Sequence, residues 1–160
     1  MNRIPEKTSS LLIRATLVAG TLDLLSALTY ALLEGKNPLA VPVGIASAIW
    51  PGAIKAGAPA LVVGVLLHFL IMLVMVAVFV AAARRLSWLT AKPVASGLLY
   101  GLLLWAVMNL IVLPLRWPSI FPHITALSLA EQIFSHTVLV GLPLAWMASR
   151  SMHHRVPNAD

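Results

Sequence analysis

Asp23, His68 and His136 can each gain or lose a proton, and each stands inside a long apolar stretch; Asn109 stands in another. A polar side chain in hydrocarbon is costly, so its presence answers a structural or functional need. A carboxylate with two imidazoles can relay protons or bind a cation. The same residues are metal ligands. Two histidines from different helices suit a bis-histidine haem, and imidazole also takes zinc, copper or iron. Asp23 would then be a third ligand, or the acceptor that orients a ring nitrogen. General acid–base work needs these residue types too, and Ser26 lies close to Asp23. No nucleophile motif, HExxH pair or phosphate loop accompanies them.

The elements that must position these groups are read from composition and hydropathy. Of 160 residues, 60% are hydrophobic and only 10% charged, where a soluble domain carries about 25% charged residues. Apolar runs cover about 11–33, 59–83, 93–115 and 126–148. Each is long enough to cross ~30 Å of hydrocarbon at ~1.5 Å per residue. The first run is too long for a signal-peptide core and contains Asp23, so it is read as a retained membrane helix. With no cysteine, disulfides and thiolate chemistry are excluded.

Residues 38–56 are apolar but broken by Pro42, Gly44, Pro51 and Gly52. As a fifth crossing they would send Arg84, Arg85 and Lys92 to the side opposite the N-terminus. With four crossings, those three join Arg3, Lys7, Arg14, Arg150 and Arg155 on one side, leaving Lys36, Lys55 and Arg116 on the other. The positive-inside rule therefore predicts four crossings with both termini cytoplasmic. Residues 38–56 become a re-entrant or interfacial segment on the outer face, with Trp50 as an anchor. The net charge of +6 is accounted for by this flanking pattern and not by nucleic-acid binding.

Counting from helix ends places Asp23, His68 and His136 at matched depth, ~13–16 Å below the outer boundary. Gln132 is one turn outward from His136 on the same face, and Glu131 is placed at the outer mouth. Small residues form stripes at four-residue spacing: Ala15, Ala19, Asp23 and Ala27 in the first run, and Ala60, Gly64 and His68 in the second. Gly97 and Gly101 form a small-xxx-small pair in the third. Pro143 and Pro114 are expected to kink or end their helices.

The third and fourth runs resemble the YagU family of small bacterial inner-membrane proteins. The resemblance lies in Gly97-Leu98-Leu99-Tyr100-Gly101, in Leu113-Pro114-Leu115, and in Ala130-Glu131-Gln132-Ile133-Phe134-Ser135-His136. It spans about a third of the chain and implies a bacterial inner-membrane location, with no catalytic residues to carry over. A longer polar insert associated with that family between its early helices is missing from this sequence.

These readings converge on an all-α membrane protein of four transmembrane helices, with a polar centre of Asp23, His68, Asn109, Gln132 and His136. Several functions fit it. A buried Asp23–His68 or Asp23–His136 pair could tie helices together, at roughly 0.6–2 kcal/mol per hydrogen bond. A non-enzymatic, proton-linked small-solute permease-like unit is the functional reading favoured beside that structural one. Haem or metal binding through His68, His136 and Asp23 is an alternative, with no cofactor favoured. A membrane-embedded lipid-active enzyme is another; it would need a lipid-sized cleft opening onto the polar centre. The expected partners are the lipid bilayer and a homo-oligomer or larger membrane complex.

Overall fold

The computed structural model describes residues 8–121 and 125–153. Arg3, Lys7, His154 and Arg155, and the side chain of His153, lie outside the described residues. Four helices are long and apolar enough to cross a membrane: α1 (Thr8–Leu33), α4 (Ala58–Ala83), α6 (Pro93–Arg116) and α7 (Ala126–Met152). Between α1 and α4 lie two short helices, α2 (Ala40–Ala46) and α3 (Ala53–Ala56), and α5 (Trp88–Ala91) joins α4 to α6. Among the described residues there is no strand. The chain is a small multi-pass helical membrane protein, its perimeter covered by exposed apolar side chains such as Ile13, Leu17, Leu66, Leu70 and Leu99.

Local chemistry sets the helix limits. α1 stops at Gly35, whose φ of +70° suits glycine. There Gly35 N–H donates to Leu32 O (3.0 Å) and Lys36 N–H to Ala31 O (2.8 Å), the paired bonds of a Schellman ending. α4 starts after Gly57 (φ +64°) with Pro59 in its first turn. α7 starts at a reciprocal cap: Ser128 N–H donates to Thr125 Oγ1 (3.1 Å), and Thr125 N–H to Ser128 Oγ (3.0 Å).

The small-residue stripe on α4 is buried throughout, and that on α1 in its first half, with Asp23 and Ala27 half-buried. Ala15 and Ala19 are fully buried, and Ala60, Gly64 and His68 form one buried line on α4. The partner of the Gly97/Gly101 pair is α7. A Cβ on Gly101 would lie 2.2 Å from the carbonyl oxygen of His136, and one on Gly141 would lie 2.0 Å from that of Gly97. Backbones thus touch directly, which is what small residues permit between membrane helices. α1 packs on α4 and α7, and α6 packs on α7, whereas α4 and α6 hardly meet.

Candidate functional site

The short helix α2 forms a lid at the end of the bundle away from α5. Gly64 receives it: a Cβ there would sit 1.8 Å from the carbonyl oxygen of Pro42. Arg116, at the end of α6, holds the lid's far end by donating from Nε to Ala48 O and from Nη2 to Ser47 O, both 2.7 Å. A cation is well placed at carbonyls that close a helix, where the exposed dipole ends are negative. Ile45 of this lid lines the cavity beneath it.

That cavity measures about 170 Å³, is half-enclosed, and is walled by residues of all four long helices. Asp23, His68, Asn109, Gln132 and His136 all line it, among Ile71, Met72, Met75 and Met108. Glu131 does not. One position along α7 turns a side chain by about 100°, which separates Glu131 from its neighbour Gln132.

The expected pairing of Asp23 with a histidine is not what the structure shows. His68 Nε2 donates to the backbone carbonyl of Gly20 on α1 (2.9 Å). His136 Nδ1 donates to the carbonyl of Gln132 (2.8 Å). A carbonyl can only accept, so in each ring the bonded nitrogen carries the hydrogen. Among the described residues, the other ring nitrogen, Nδ1 of His68 and Nε2 of His136, has no partner, and neither has the Asp23 carboxylate. Asn109 gives its amide N–H to Trp105 O (3.1 Å) and leaves its carbonyl oxygen open. Among the described residues, the fully buried side-chain polar atom without a partner is Thr16 Oγ1. The unpaired atoms of the polar centre are therefore not fully buried, and their residues line the cavity.

Asn109 and His136 both stand in π-helical turns, Met108–Val112 and Ser135–Gly141. The prolines expected to kink these helices explain them. Pro114 and Pro143 have no N–H to give the carbonyls of Leu110 and Leu139, both within the π turns, and that missing bond loosens the ladder. π turns are enriched at functional sites because they re-aim side chains.

Sequence reasoning noted Ser26 only for its closeness to Asp23 and missed a chain of hydroxyls there. Ser26 Oγ lies 2.7 Å from Asp23 O and 2.9 Å from Ser135 Oγ, and Ser135 Oγ lies 3.4 Å from the Tyr30 hydroxyl. Ser135 next to His136 was the available signal. Among the described residues no three His, Cys, Asp or Glu side chains stand together so as to hold a metal ion. The cavity's 170 Å³ is also below the ~300–1,000 Å³ of cofactor sites, so the residues do not fit a bis-histidine haem. No family model, curated protein or solved structure matches the chain.

Proposed function

We propose that this chain is a small-solute permease-like unit, proton-linked through Asp23, in a bacterial inner membrane with both termini cytoplasmic. The observation that carries the reading is the set of unpaired atoms around the cavity. Polar residues that merely tie helices would be bonded to one another across them. Here Asp23, His68 and His136 line one cavity, and among the described residues no hydrogen bond joins their side chains. Each imidazole is held at one nitrogen by a backbone carbonyl, which fixes the ring, and in the neutral ring the other nitrogen carries the lone pair.

The unpaired atoms are mostly acceptors, and among the described residues no Lys or Arg lines the cavity. The complementary solute is small, cationic and rich in N–H donors. A solute or a proton at Asp23 meets the same carboxylate, and that competition would couple the two. The location follows the resemblance described above, and the orientation follows the distribution of basic residues.

The test uses guanidinium, which stays charged and carries several N–H donors. In proteoliposomes an opposing pH gradient should drive its uptake through the wild type, and Asp23→Asn should abolish uptake with the helical content unchanged. Uptake equal to that of empty liposomes would sink the reading.

A further inference from the structure

We propose that the solute is an amphiphile that reaches the cavity sideways from the bilayer, its cationic N–H end at Asp23 and its hydrocarbon chain between α4 and α6. This rests on the permease reading and names its substrate class. Because α4 and α6 hardly meet, a groove of about 430 Å³ lies between them, walled by apolar side chains including Val74, Val78, Leu103 and Val107. At its floor the Tyr100 hydroxyl donates to the Met75 carbonyl (2.7 Å), bridging the two helices.

The groove and the polar cavity share a wall. Ile71, Met75 and Met108 line both, and unbranched methionines are the side chains most able to change shape around a guest. Two other sides of the cavity are covered. Ile45 and the Arg116-held lid lie over one end, and glycine backbones close the seam between α6 and α7.

Chemistry selects the occupant. Lipid tails are as apolar as leucine, so a chain in the groove gains little over the same chain in the bilayer. Selection must come from the polar end, where the open acceptors are the Asp23 carboxylate, His68 Nδ1, His136 Nε2 and Asn109 Oδ1. They favour a cation bearing N–H groups over an anion. A helix from a second copy could cover the groove, but it would leave those acceptors without partners. A single-chain cationic amphiphile satisfies both halves.

The experiment uses the full chain in phosphatidylcholine nanodiscs. Native mass spectrometry counts retained dodecylguanidinium and, as a control, dodecanoate; calorimetry measures guanidinium alone. Val74→Trp fills the groove, and Leu103→Trp does so from the opposite wall should the first variant not fold. The expected result is retention of dodecylguanidinium but not dodecanoate, cut about tenfold or more by the groove variant while guanidinium binding is kept. Retention indifferent to the groove variant, or equal retention of dodecanoate, overturns the proposal. If guanidinium binds but dodecylguanidinium is not retained, the proposal falls and the permease reading stands. If neither binds, both fall. A groove variant that turns a dimer into a monomer, with no amphiphile retained by either, assigns the groove to a second copy and overturns the proposal.

Discussion

His68 donates its Nε2–H to the carbonyl of Gly20, 2.9 Å away, and not to Asp23, which lies three residues further along the same helix. Donor and carboxylate are thus kept apart at the wall of one cavity. α1 and α4 are tied through the backbone, and the ionisable groups are left for something else.

The tie and the open nitrogen of His68 can be separated. Glutamine can still donate an N–H toward the Gly20 carbonyl, whereas alanine cannot. His68→Gln should melt near the wild type in mild detergent, and His68→Ala should lose roughly 0.6–2 kcal/mol. His68→Ala should lose guanidinium uptake, because alanine offers no acceptor, and His68→Gln should keep part of it through its amide oxygen. Unchanged uptake in His68→Ala would remove His68 from the site.

The seam between α6 and α7 depends on direct backbone contact. Gly101→Ala would place a Cβ 2.2 Å from the His136 carbonyl oxygen, forcing the helices apart at the π turn. Overpacking of this kind costs about 1–3 kcal/mol. Titration with a denaturing detergent should show a loss in that range, and a neutral result would mean that the helices do not meet there.

The lid offers a third check. Arg116→Ala removes both donors to Ser47 and Ala48, interactions at a helix end worth about 0.3–1 kcal/mol. Hydrogen exchange should rise in residues 40–56 with little change in α1 or α7. Faster exchange throughout the bundle would contradict a local role.

Thr16 gives a prediction of opposite sign. Its buried hydroxyl has no partner among the described residues, and an unsatisfied buried polar group costs ~1–3 kcal/mol. Thr16→Val, close in shape, should melt at or above the wild type. A clear loss of stability would mean that the hydroxyl is bonded in the membrane.

The four membrane-length helices were legible because hydropathy speaks directly about a bilayer, and the break in residues 38–56 because proline and glycine interrupt a long helix. That Asp23, His68 and His136 line one cavity was within reach of the sequence because a helix rises by a fixed amount per residue. The partners of the histidines were not, since they are backbone carbonyls and every residue has one. The π turns were signalled only through Pro114 and Pro143, which announce an irregularity without its form. The gap between α4 and α6 was hidden for a different reason: Val74 or Leu103 facing lipid reads the same as facing another helix.

The most direct measurement is Asp23→Asn against the wild type, with thermal melting and guanidinium binding recorded on the same nanodisc samples. An unpaired carboxylate held for binding is a burden on the fold, as functional sites often are. The account predicts that Asp23→Asn melts at or above the wild type and loses guanidinium binding about tenfold or more. A variant that melts well below the wild type, with binding weak or missing in both, would make Asp23 a structural residue and contradict the account.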